Sequence, residues 1–114
     1  MTLVNTVMGM AIDPETRRYR LGSAGNGGGL SGAAVHHVAV RAVHDTYRAV
    51  PGLPIVGVGG VSSAGDAAEL LLAGASAVQV GTATFGRPDA CARILADLPR
   101  FGVPRELTGA VHAR

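Results

Sequence analysis

Apolar and polar positions along the chain follow two alternating periods. Three short apolar runs, Leu3-Val4-Asn5-Thr6-Val7-Met8, Pro54-Ile55-Val56-Gly57-Val58 and Ala77-Val78-Gln79-Val80, are rich in β-branched residues. They predict strands buried on both faces of a parallel sheet. Each is followed by a glycine-bearing turn and a stretch with helical spacing. Val35, Val38, Ala39, Ala42, Val43, Thr46 and Val50 share one face of the first helix, with His37, Arg41, His44, Asp45 and Arg48 on the other. Gly52 and Pro54 end it. The second helix is predicted to start at Ser63, with Asp66 placed near the capping-box pattern. It presents Ala67, Leu70 and Leu71 to a core and stops at Gly74. The third opens at Pro88, carries Cys91, Ile94, Leu95 and Leu98 as its stripe, and ends at Pro99. Strand–helix alternation three times over predicts an α/β fold with right-handed crossovers. Beyond Gly102 the pattern fades into a tail without a readable signal.

One connection is abnormal. Between Met8 and Ala33 there is no helical periodicity, and connections longer than about 12–15 residues are usually functional or disordered. Within it, Ala11-Ile12 and Tyr19-Arg20-Leu21 flank the turn-forming run Asp13-Pro14-Glu15-Thr16, which predicts a small hairpin. The glycine-rich run Gly25-Asn26-Gly27-Gly28-Gly29-Leu30-Ser31-Gly32 then leads into the first helix.

The chain has 114 residues, of which 47% are hydrophobic, so it is one domain or less and not a disordered tail. Lysine is absent and every basic residue is arginine. The net charge is +2 with no basic cluster longer than Arg17-Arg18, which argues against a nucleic-acid partner. A single cysteine, Cys91, excludes an internal disulfide framework, and its place on a helical stripe predicts a core residue. No apolar run approaches the length of a membrane span, and there is no basic-then-apolar leader, so the expected location is the cytoplasm. His36 and His37 open a helix and His44 follows His37 by seven. That is not the spacing of a two-histidine metal site, and a solvated face is expected for them. Arg41, Asp45 and Arg48 suit surface ion pairs.

The glycines carry the candidate chemistry. Gly27 to Gly32, Gly57-Val58-Gly59-Gly60-Val61-Ser62 and Gly81-Thr82 each follow a strand and precede a helix. One such turn is a weak signal. Three at the carboxyl ends of successive strands form one rim, where α/β folds bind ligands and where backbone N–H groups favour an anion. This favours a phosphate-bearing cofactor over plain turns. Gly57 to Ser62 is not a dinucleotide fingerprint, because the third glycine and a following acidic residue are missing. Asn5 and Thr6 interrupt an apolar strand, and alternation sends one inward and one outward. An amide there would either match a planar ligand or tie down a neighbouring loop.

Four segments in order resemble the C-terminal part of the dihydroorotate dehydrogenases. They are Asn5-Thr6-Val7-Met8-Gly9-Met10-Ala11-Ile12-Asp13, Gly28-Gly29-Leu30-Ser31-Gly32, Gly57-Val58-Gly59-Gly60-Val61-Ser62 and Gly74-Ala75-Ser76-Ala77-Val78-Gln79-Val80-Gly81-Thr82-Ala83. The resemblance is to the soluble class 1 enzymes, especially the NAD-linked type 1B. The membrane-associated class 2 enzymes depart from it at Val80-Gly81-Thr82-Ala83 and at the Asp13 hairpin. The Asn-Thr pair and Leu30-Ser31-Gly32 argue against other flavin or nucleotide barrels.

The resemblance implies that residues 1–102 are the last three βα units, strands 6–8, of a truncated (β/α)8 TIM barrel, with 103–114 as a C-terminal tail. It implies FMN as cofactor and oxidation of dihydroorotate to orotate in pyrimidine biosynthesis. Asn5 and Thr6 would bind the substrate, and Val4 would meet the flavin through its backbone. Gly32 would lie beside the flavin or its ribityl chain. Gly59, Gly60, Gly81 and Thr82 would hold the FMN phosphate. Further partners would be an FAD and iron–sulfur electron-transfer subunit, as in type 1B, and other copies of the chain, since a part-barrel leaves strand edges and apolar surface unpaired. A full barrel needs about 250 residues. The family's catalytic cysteine belongs upstream of these segments, and its flavin lysine has no counterpart here. No catalytic residue is therefore assigned, and the isolated chain is expected to be inactive. The alternative is a non-catalytic phosphate- or flavin-binding half-barrel that self-associates.

Overall fold

Starting from the N-terminus, the computed structural model, which describes residues 1–22 and 25–112, gives β1 (Thr2–Leu3), β2 (Val7–Gly9), β3 (Ala11–Ile12), β4 (Tyr19–Leu21) and β5 (Gly28–Leu30). A 3-10 turn at Ala33–Val35 leads into α1 (His36–Ala49), followed by β6 (Val56–Val58), α2 (Ala64–Ala73) and β7 (Ala77–Gln79). The chain continues through α3 (Ala83–Gly86), α4 (Ala90–Asp97), a second 3-10 turn at Leu98–Arg100 and α5 (Pro104–Leu107). Residues 23 and 24 of the long connection and residues 113 and 114 of the expected tail lie outside the described residues.

The three predicted strand–helix units form a mixed α/β arrangement around a parallel sheet of order β1-β6-β7. Thr2 pairs with Val56 and Leu3 with Gly57. Val56, Gly57 and Val58 pair with Ala77, Val78 and Gln79. Adjacent backbone bonds extend the sheet, with Val4 N–H donating to Val58 O at 2.9 Å and Ser76 N–H to Ile55 O at 2.8 Å. The core lies between this sheet and the helices, with Ile55, Leu70 and Val43 fully enclosed. Gly57 lets α2 lie directly on β6, since a Cβ there would stand 3.2 Å from the Cβ atoms of Leu70 and Ala75.

The first apolar run does not form one strand. It breaks after Leu3, and β2 leaves the sheet to pair antiparallel with β5, Val7 opposite Leu30 and Gly9 opposite Gly28. The alternation expected across Asn5 and Thr6 therefore does not apply, and both are exposed. The predicted hairpin is present as β3 and β4, and Asp13 Oδ1 closes its turn by accepting from the amides of Glu15 at 2.9 Å and Thr16 at 3.2 Å. Those bonds hold the Asp13 carboxyl below its usual range.

Three further expectations are corrected. The sheet is covered on one face only. Gly57 and Val78 turn toward the helices, whereas Ala77 and Gln79 on the opposite face are exposed. The first helix is rotated from the predicted stripe. His36, Ala39 and Val43 are buried, Val40 and Tyr47 are half-buried, and Val38 and Val50 are exposed. The third helix forms as α4, two residues after Pro88, behind a short helix, α3, that the pattern did not signal, and its buried face differs from the predicted stripe. On α4 the buried row is Ala90 and Ile94, continued by half-buried Leu98, at i, i+4 and i+8, which leaves Cys91 and Leu95 in solvent.

The tail also adds structure that the sequence pattern did not signal. Leu107 of α5 packs against Ala68 and Leu71, and Thr108 Oγ1 donates to Ala75 O at 2.8 Å. No helix among the described residues is long and apolar enough to cross a membrane.

Candidate functional site

The turns that follow β1, β5, β6 and β7 meet around one cavity of about 360 Å³. All eight residues singled out from the sequence, Val4, Asn5, Thr6, Gly32, Gly59, Gly60, Gly81 and Thr82, line it, together with Ser31 and Ser62. The parallel register brings three of these turns to one end of the sheet, and the β2–β5 pairing returns the fourth to the same place.

Each wall has a local cause. Val4 is held by its bond to Val58, so the chain turns out of the sheet at Asn5. There Asn5 Oδ1 accepts from the Thr6 amide at 2.7 Å, fixing the amide side chain along the turn. Thr6 in turn lies against Gly29, where a Cβ would collide with the Thr6 side chain. Across the cavity, Thr82 Oγ1 donates to Ser31 Oγ at 2.8 Å and ties the turn after β7 to the turn after β5. Ser62 is oriented by α2, since its amide and hydroxyl both donate to Asp66 Oδ2, at 3.0 and 3.1 Å. Asp66 also completes the predicted capping box with Ser63. Burial works to raise the Asp66 pKa, but the bonds from Ser62 and Ser63 and the nearby His36 outweigh it and lower it overall.

The cavity glycines are not equivalent. Gly59 and Gly60 have φ of 135° and 64°, a region that disfavours side chains. A Cβ at Gly59 would stand 2.7 Å from Ala39 Cβ, and one at Gly60 would stand 2.7 Å from the Gly32 carbonyl oxygen. Turn shape and packing against α1 already require glycine at both. Gly81 is different. Its φ is not in the left-handed region, and a Cβ there would meet no heavy atom within 4 Å. Among the described residues, and outside the strand ladders, the amides of Gly59, Gly60, Gly81 and Thr82 donate no backbone hydrogen bond. Four N–H donors thus belong to one cavity wall, and one of its glycines leaves room that packing does not need.

Sequence reasoning missed His36. It was expected on a solvated face, yet it is 5% exposed. Its Nδ1 lies 2.8 Å from the Gly59 carbonyl oxygen, and its Nε2 lies 2.9 Å from Glu69 Oε2 on α2. The signal was present, because His36 precedes Ala39 by three and Val43 by seven and so shares their stripe. His37, one residue on, is exposed as expected. Among the surface pairs, Arg41 Nε meets Asp45 Oδ2 at 2.6 Å.

A family model for dihydroorotate dehydrogenase matches residues 1–101. The chain is 54% identical over 99 residues to dihydroorotate dehydrogenase A (fumarate) of Lactiplantibacillus plantarum, covering 87% of this chain and 32% of that protein. It is 53% identical over 98 residues to the catalytic subunit of dihydroorotate dehydrogenase B (NAD(+)) of Latilactobacillus sakei, covering 86% and 31%. With the corresponding B-type subunit of Desulforudis audaxviator it shares 48% identity over 118 residues, covering 98% and 38%. The similarity does not divide the A type from the B type. The chain spans about a third of the length of these curated relatives. It contains no lysine, and its one cysteine is on α4 rather than in the cavity wall. On the strength of a match covering nearly all of its residues, the chain belongs to the dihydroorotate dehydrogenase family.

Proposed function

We propose that the cavity is the FMN-phosphate and substrate-binding part of a dihydroorotate-oxidising enzyme of pyrimidine biosynthesis, built from strands 6–8 of a (β/α)8 barrel. Gly81 carries this reading. Neither backbone conformation nor packing demands glycine there, and the space in front of it suits a ligand that approaches the backbone. The amides of Gly60, Gly81 and Thr82, with that of Gly59 at the end of the β6–β7 ladder, offer N–H donors to a phosphate. Val4 and Gly32, in the cavity wall between these turns and Asn5, would flank the isoalloxazine or ribityl portion.

Asn5 and Thr6 would bind dihydroorotate, whose ring offers both donors and acceptors to an amide and a hydroxyl. Bound FMN supplies the hydride acceptor for this oxidation. The reaction also needs a base to take a proton; among the described residues no histidine, cysteine, carboxylate or lysine lines the cavity, and turnover would need residues beyond it. Residues 1–102 would act as the barrel portion and 103–112 as the packed end of the tail. An FAD and iron–sulfur subunit as electron acceptor belongs to the NAD-linked version of this proposal.

Titrating the chain with FMN and with riboflavin, followed by flavin fluorescence, tests the reading. FMN is expected to bind at least about tenfold more tightly, the worth of a charge-assisted hydrogen bond. Gly81→Ala is expected to leave the melting temperature unchanged and to remove that preference. Equal affinity for the two flavins, or an unaltered preference in Gly81→Ala, would overturn it.

A further inference from the structure

We propose that His36 is a positioning residue for the phosphate turn: it links the Gly59 carbonyl to α2 and so fixes where the neighbouring Gly60 amide stands. The inference rests on the reading of the cavity as a phosphate site and assigns His36 a role within it. The ring is buried at the start of α1, and both of its nitrogens face oxygen atoms. The Gly59 carbonyl and the Glu69 carboxylate can only accept, so a ring carrying a proton on each nitrogen satisfies both contacts, and a neutral ring satisfies one. Gly60 is wedged beside the same residue. A Cβ on it would stand 2.8 Å from His36 Cβ and 2.7 Å from the Gly32 carbonyl oxygen. The Gly59–Gly60 turn therefore has one side against His36 and cannot retreat toward α2 without breaking the Nδ1 bond.

Glu69 and Asp66 of α2 both face the imidazole, with Asp66 Oδ1 at 3.8 Å from Nε2. His37 on α1 also stands near the ring, with ring centroids 5.8 Å apart. The 2.9 Å separation of Nε2 and Oε2 is hydrogen-bond length. Asp66 Oδ2 is already engaged by the Ser62 and Ser63 amides and the Ser62 hydroxyl.

Two measurements on the full chain test the role, using wild type, His36→Gln and His36→Lys. The first is the amide spectrum without ligand. In His36→Gln the Gly60 resonance is expected to move while those of Val43 and Leu70 stay. An unmoved Gly60 resonance overturns the proposal regardless of any flavin. The second is affinity for FMN against riboflavin. His36→Gln is expected to lose about tenfold for FMN with riboflavin unchanged, and His36→Lys, which offers N–H donors to both oxygens, to recover most of the loss. Equal losses for both flavins would mark a structural role only and overturn the proposal. FMN binding by wild type with no loss in His36→Gln overturns the role of His36 alone. Failure of wild type to prefer FMN overturns the phosphate reading and this role with it.

Discussion

A side chain at Gly60 would press on the Gly32 carbonyl, whereas one at Gly81 would enter open space. The two glycines look alike in the sequence, and only their surroundings separate a turn requirement from room for a ligand. Asp66 shows a similar division of labour. Its carboxylate caps α2, orients Ser62 at the cavity and faces His36. Its pKa is lowered in the folded chain. A lowered carboxyl pKa contributes stability above the unfolded value of about 3.9, and that contribution disappears as pH falls through the folded value. Asp66→Asn is therefore expected to melt below wild type near neutral pH, with the gap closing in acid. Melting temperatures recorded across that range check this, and a gap constant with pH would contradict it. At this scale the cavity residues were legible because glycine, asparagine and threonine stand out against apolar strands. His36 was not, because its neighbour His37 and the polar face around it masked its place on the Ala39–Val43 stripe.

At the scale of elements, the second helix followed its sequence most closely. Ser63, Asp66, Leu70, Leu71 and Gly74 each take the part their spacing indicated. Ser63 Oγ accepts from the Asp66 amide at 3.2 Å, and removing it in Ser63→Ala is expected to cost about 1 kcal/mol in chemical denaturation. A loss within experimental error would show that Asp66 holds the helix end unaided. α1 and α4 departed from their predicted faces because Val38 and Leu95 are apolar yet lie outside the buried rows. In sequences rich in alanine and valine, several stripes fit the period equally well, and packing against the sheet selects one. The first strand stopped early because the β2–β5 ladder competes for the same run of residues. The tail helix was invisible because four residues cannot display a period.

For the whole molecule, the open sheet face is the main departure from expectation. Apolar runs suggested cover on both sides, and α1 and α2 supply only one. The order β1-β6-β7 leaves two outer strands, consistent with one segment of a larger closed sheet and with relatives about three times as long. Such a surface also permits self-association, which sedimentation would register as a concentration-dependent mass. The proposal that the turns at one sheet end jointly hold a phosphate is independent of that outcome. Its most direct test is an amide spectrum of the isotope-labelled chain during titration with FMN. Concerted, saturable shifts of Gly59, Gly60, Gly81 and Thr82, larger than those elsewhere, are expected. Shifts confined to one turn, or scattered over the open sheet face with these four unmoved, would contradict a shared phosphate site.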